Sequence, residues 1–137
     1  MYQEENTMPD TQLTKQYSVS QELLASSMGS GSLPVLATPA VAAFFENTAM
    51  ELAAKYLADD ETTVGAEITV KHLAPTAPGC PVTVTAVLEE HEKRMFRFHL
   101  EAKDNAGVIA TGTHERVSVK SERFLKKADE RKNTEAK

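Results

Sequence analysis

The chain carries a single cysteine, Cys80, among its 137 residues, so it has no internal disulfide. Nothing in it asks for an oxidising compartment. No apolar run approaches the length needed to span a bilayer. Positive charge is not in excess either. Lys and Arg number 15 against 20 Asp and Glu, and a net charge of −5 argues against nucleic acid as the main partner. The first ten residues, MYQEENTMPD, are acidic and polar, which is not the pattern of a signal peptide. There is no βαβ alternation, no glycine-rich phosphate loop and no internal repeat. These absences point to a cytoplasmic protein with no nucleic-acid or membrane partner, and nothing calls for a cofactor or a metal.

What the sequence does contain is organised around Leu36 to Leu57, LATPAVAAFFENTAMELAAKYL. Val41, Phe45, Thr48, Leu52 and Tyr56 recur at helical spacing, with alanines beside them. Thr38 can cap the start, and Pro39 suits the first helical position because it has no N–H to leave unpaired. Glu51 and Lys55 are spaced as an i,i+4 pair on the wet face.

Short alternating segments surround this helix. Leu13–Ser20 reads as a first strand and Glu22–Met28 as a helical turn, followed by the flexible Gly29-Ser30-Gly31-Ser32 loop. That loop leads into the helix, and it is either a pocket wall or a plain linker. Gly65–Leu73, Val82–Glu90, Met95–Lys103 and Val108–Val119 then alternate as antiparallel strands. Asp104-Asn105-Ala106-Gly107 is a hairpin turn signal, and Lys120–Arg131 closes the chain as a short helix. The expected architecture is α+β, a long central helix wrapped by an antiparallel sheet. Residues 1–11 are expected to be a disordered N-terminus, 12–127 a single domain, and 128–137 a polar tail.

Three residues stand out chemically. Glu46 has Ala42, Ala43, Ala49 and Met50 as its helical neighbours and no Lys or Arg at i±3 or i±4. It sits either at the edge of the wet face or where water is scarce by design. His72 is in phase with Ala66, Ile68 and Val70, as a core histidine or a functional one. Thr38 is explained by capping alone, yet it lies about two turns before Glu46 on the same helix. A hydroxyl, a carboxylate and an imidazole facing one another make a set suited to acyl transfer.

The segments LATP…FFE, GAEITVKHLAPTAPG and GTHER, over Val35 to Arg116, resemble the hot-dog-fold thioesterases of the fluoroacetyl-CoA thioesterase type. The resemblance implies a hot-dog fold, a homodimer with sites at the interface, and an acyl-CoA substrate. By match it implies Thr38, Glu46 and His72 as the catalytic set, with Gly65 and Arg116 as substrate-binding residues. Glu46 would act as nucleophile or activate water. The expected activity is hydrolysis of a small or medium acyl-CoA. The alternative is a non-catalytic hot-dog domain that binds acyl-CoA or another small apolar ligand. A hot-dog hydratase is disfavoured, because no Asp and His lie close together in the expected segment. One departure concerns the lid: the fluoroacetyl-specific enzymes carry bulky aromatics before the helix, and Gly29–Pro34 has none. Fluoroacetyl selectivity therefore does not carry over. The basic segment Lys120–Lys132 offers cations for nucleotide phosphates or simply a solvated helix face.

Overall fold

Alternation along the later strands and a tight turn between them produce the sheet seen in the computed structural model, which describes residues 9–135. Strand β1 is Gln12–Ser18, followed by a 3₁₀ turn at Gln21–Leu23 and a single helical turn, α1, at Ala25–Met28. The long helix α2 is Thr38–Ala54. Strands β2 (Glu61–His72), β3 (Pro81–Glu92), β4 (Met95–Asp104) and β5 (Gly107–Lys120) follow, and helix α3 (Ser121–Lys132) comes last. All five strands form one antiparallel sheet in the order β1-β3-β4-β5-β2. This is the α+β arrangement expected, with α2 lying across one face.

The buried face of α2 supplies Val41, Phe45, Thr48 and Leu52, and the sheet answers with Val82, Val84, Ala86, Phe96, Phe98 and Leu100. Burying one such phenylalanine is worth about 1.5–3 kcal/mol. Thr48 is fully buried, and its hydroxyl donates to the Phe44 carbonyl (2.8 Å) while lying 2.7 Å from the Tyr17 hydroxyl. The Tyr17 ring stacks on Phe44 with centroids 4.4 Å apart. Gly112 lets the helix come close: a Cβ there would stand 2.3 Å from the Thr69 carbonyl oxygen and 3.0 Å from the Phe45 ring.

Several local expectations change. Ala37, not Thr38, occupies the cap position, and no side chain caps the helix; Thr38 is its first residue and Pro39 its second. Helix α2 is also shorter than the apolar pattern, because Lys55–Leu57 turn out of it. Glu51 and Lys55 do not pair. Glu51 takes Lys15 from β1, and Lys55 takes Asp10 at 3.1 Å. Strands β3, β4 and β5 run one or two residues beyond their alternating cores, β1 stops at Ser18 rather than Ser20, and β2 begins at Glu61 rather than Gly65 and stops at His72. The disorder expected of the N-terminus falls mostly on residues 1–8, outside the described residues. Asp10 is held against the end of α2, where its carbonyl accepts a hydrogen bond from the Tyr56 hydroxyl at 2.8 Å.

Candidate active site

Strand β2 positions one partner of each candidate pair. It lies at the sheet edge beside β5, and its register slips between Gly65 and Glu67, where a bulge inserts Ala66. On one side of the bulge Gly65 faces Arg116; on the other, Ile68 faces His114. The side chains of His114 and Arg116 belong to the inward set of β5, in phase with Ala110, Gly112 and Ser118, all of them buried.

Two of the residues singled out in the sequence, Glu46 and Arg116, meet at a third, Gly65, together with His114. An added Cβ on that glycine would lie 3.1 Å from Glu46 Oε2, 3.3 Å from His114 Cε1 and 3.7 Å from Arg116 Nη1. The missing side chain therefore lets a carboxylate, an imidazole and a guanidinium come close to the Gly65 backbone. Arg116 is held tightly. Its Nε donates to Thr63 Oγ1 (2.7 Å), its Nη2 to the Thr63 carbonyl (2.8 Å), and its Nη1 to His114 Nε2 (3.1 Å). His114 in turn donates from Nδ1 to the Glu67 carbonyl at 2.7 Å. Both imidazole nitrogens are thus engaged, and the neutral Nδ1–H tautomer fits them. Burial pushes the His114 pKa down, with the Arg116 charge adding to the shift; the Glu67 carbonyl and the Glu46 and Glu115 charges oppose it. Burial also lowers Arg116, against the pull of Glu46.

The other pair stands apart. Thr38 Oγ1 lies 2.8 Å from His72 Nδ1, and His72 Nε2 is buried with no hydrogen-bond partner among the described residues. Whichever way the proton sits between Thr38 and Nδ1, Nε2 is the atom left for a ligand. Burial pushes the His72 pKa below the ordinary imidazole value, the Ala74 backbone opposing it. The pair lines an open cleft of about 320 Å³, walled by Ser30 of the glycine–serine loop, Val35, Leu73 and Pro75.

The expected convergence of Thr38, Glu46 and His72 therefore divides in two within one chain. Eight residues of α-helix separate Thr38 from Glu46, about 12 Å of rise. Helix α2 runs antiparallel to β2, so its start meets His72 and its middle meets Gly65. His114 was not assigned a role from the sequence, although strand alternation places it in phase with Arg116. Cys80 is a half-buried free thiol. Among the described residues no group of His, Cys, Asp and Glu side chains is arranged to hold a metal ion.

The family described as fluoroacetyl-CoA-specific thioesterase matches residues 19–122. The fluoroacetyl-CoA thioesterase of Streptantibioticus cattleyicolor is 38% identical over 90 residues, 66% of this chain and 65% of that protein's length. A crystal structure of a mutant of the fluoroacetyl-CoA-specific thioesterase FlK, in complex with fluoroacetate and CoA, superposes with a TM-score of 0.79 at 29% identity, covering 85% of this chain and 98% of that one. A hot-dog-like protein from Thermanaerovibrio acidaminovorans gives a TM-score of 0.82 at 26% identity, over 91% of this chain and 93% of that one. The fold is the hot-dog fold.

Proposed function

Because the chain belongs to the fluoroacetyl-CoA-specific thioesterase family, we propose that it hydrolyses a small or medium acyl-CoA thioester to the free acid and CoA. The observation that carries this reading is the close approach of the Glu46 carboxylate, His114 and Arg116 to the side-chain-free backbone at Gly65. The thioester carbonyl sits over Gly65, and Arg116 and backbone N–H groups stabilise the oxyanion that forms there. Glu46 attacks the carbonyl carbon, or takes the proton of the water that does. In the first route the C–S bond breaks to leave an acyl–Glu46 anhydride, which a water molecule hydrolyses to the free acid, His72 Nε2 taking the water's proton and passing it to the CoA thiolate; in the second the C–S bond breaks as water adds, and the proton taken by Glu46 reaches the departing thiolate through His72. Thr38 holds His72 through Nδ1 so that Nε2 faces the reacting atoms. His114 keeps Arg116 aimed at the site. Neither a metal nor a cofactor enters this chemistry, and the setting is the cytoplasm.

The separation of the two pairs supports a site shared between two chains. Strand β2 is an edge strand, with backbone groups that must be paired or protected. Pairing it antiparallel with a second copy about a twofold axis at Thr69 sets Glu67 opposite the partner's Lys71 and, past the bulge at Ala66, His72 of one chain opposite the partner's Gly65. Thr38 and His72 then face the partner's Glu46, and the homodimer holds two such sites. The lid segment Gly29–Pro34 has no aromatic ring to close over a two-carbon acyl group, so acyl chains longer than acetyl are accepted.

The test is CoA release from acetyl-, medium-chain and aryl-CoA by wild type and Glu46→Gln. The reading expects wild-type turnover that falls by about 100-fold or more in the variant, with the melting temperature retained. Binding of these thioesters by the wild type without any release of CoA would contradict it and favour a non-catalytic binding domain.

A further inference from the structure

Beyond Arg116 the inward face of β2 and β5 continues through Thr63 opposite Ser118 and Glu61 opposite Lys120. At that end the two strands, the β3–β4 turn and α3 enclose a second cavity of about 230 Å³. Its cations come from three separate elements: Arg94 from the turn, Lys120 from β5, and Arg123 and Lys127 from α3. Glu61 is the single carboxylate in the lining, and its Oε1 accepts the Ala58 N–H at 2.9 Å. Lys120 reaches Asp60 at 3.1 Å, and Arg94 donates to the Ser118 carbonyl at 3.4 Å. Among the described residues Arg123 and Lys127 make no ion pair. Between them in sequence Phe124, a residue 40% exposed, lines the same cavity.

A helix face with scattered lysines needs no ligand to explain it. Here, however, four cations from three elements converge on one small cavity, in a protein of net charge −5. Crowding of like charge is unfavourable unless an anion lies among them. An exposed ring beside those cations suits a ligand that is both anionic and flat. We propose that this cavity binds the phosphorylated nucleotide end of the CoA thioester, with the phosphates on Arg94, Lys120, Arg123 and Lys127 and the base against Phe124. The assignment rests on the reading of the substrate as an acyl-CoA. Glu61 is four residues along β2 from Gly65, about 13 Å at the rise of a strand. Thr63 and Ser118 between them are buried, so the pantetheine arm passes outside them to reach Gly65, which is exposed.

The experiment uses the double variant Arg123→Glu, Lys127→Glu and, separately, Phe124→Ala, none of which touches the reacting groups. Kinetics are measured on one acyl-CoA and on the same acyl group carried by pantetheine, which has no nucleotide. The charge-reversal variant is expected to raise KM for acyl-CoA about ten-fold or more, leaving kcat and both constants for acyl-pantetheine unchanged. Phe124→Ala moves the same constant in the same direction by less. Unchanged KM for acyl-CoA, or an equal rise for both substrates, overturns the proposal. Calorimetric titration with adenosine 3′,5′-bisphosphate gives a readout that needs no turnover. It is expected to bind the wild type, weaken with added salt, compete with acyl-CoA and be lost in the charge-reversal variant. Absence of binding overturns the proposal even if the thioesterase reading stands. Binding that is lost in the variant yet does not compete with acyl-CoA assigns the cavity to a free nucleotide and overturns the CoA assignment.

Discussion

Replacing Gly65 by alanine should separate the chemistry from the fold. Gly65 is not among the glycines with positive φ, so its backbone admits an alanine without strain. The new methyl group would lie 3.1 Å from Glu46 Oε2 and 3.3 Å from His114 Cε1. Contacts between such atoms settle at about 3.5 Å or beyond, so one neighbour must retreat by a few tenths of an ångström. His114 is anchored by Glu67 and Arg116, at 2.7 and 3.1 Å. The displacement therefore falls on the Glu46 carboxylate, at the end of a flexible side chain. Overpacking costs about 1 kcal/mol at the low end, and loss of glycine's freedom in the unfolded chain returns about 0.4–1 kcal/mol. The net change in stability is within about 1 kcal/mol, a shift of about 4 °C or less in Tm. A displacement of about 1 Å from productive geometry costs about 100-fold in rate, so kcat/KM should fall by about ten-fold or more. Gly112→Ala supplies the contrast. Its methyl group would stand 2.3 Å from a backbone oxygen that cannot retreat without breaking the β2–β5 register, and a loss of about 3 kcal/mol or more is expected there. Steady-state kinetics and thermal melts on the two variants decide the matter. Full activity in Gly65→Ala, or activity lost only in proportion to unfolding, would refute the reasoning.

Two further outcomes follow from the same geometry. Thr38→Val keeps the shape at the start of α2 but removes the hydroxyl 2.8 Å from His72 Nδ1. Because Thr38 is exposed and does not cap the helix, Tm should hold within about 4 °C while kcat falls by about ten-fold or more; a loss of Tm with activity per folded molecule unchanged would return Thr38 to a structural role. Burial lowers the imidazole pKa of both His72 and His114 in the folded chain. Below about pH 6.5 the unfolded chain therefore binds protons that the folded chain refuses, and stability falls with pH until the folded imidazoles titrate. Urea unfolding at several pH values between 5 and 8 should show that slope, reduced in His114→Gln, whereas an equal slope in that variant would contradict it.

Much of the fold was legible because its signals are local. The alternation in Val82–Glu90 and Met95–Lys103 and the turn at Asp104–Gly107 require nothing from elsewhere in the chain, and β3, β4 and β5 lie where they indicate. Element ends were less legible. Glu61–Val64 carries little alternation of its own and becomes strand by pairing with β5 as far as Lys120. Partners that come from other elements could not be read at all. Glu51 prefers Lys15 of β1 to the lysine one turn away. Thr38 gives up a cap for a histidine 34 residues later. The residues at Gly65, Glu46 and Arg116 were each identifiable, but not their meeting. His114 needed the knowledge that its proton goes to a β2 carbonyl. The separation of Glu46 from His72 is likewise a matter of helix rise against strand direction, which residue spacing on α2 alone does not show.

The claim at the centre of this account is that Glu46 of one chain works with His72 of its partner, and mixed dimers test it most directly. Glu46→Gln and His72→Asn, each inactive alone, are unfolded together and refolded as a mixture. If the site is shared, half of the dimers are mixed, and each mixed dimer holds one site with both native groups. The mixture should then recover roughly a quarter of wild-type activity. If Glu46 and His72 act within one chain, no mixed dimer holds a complete site and the mixture stays as inactive as its components, which would contradict the account.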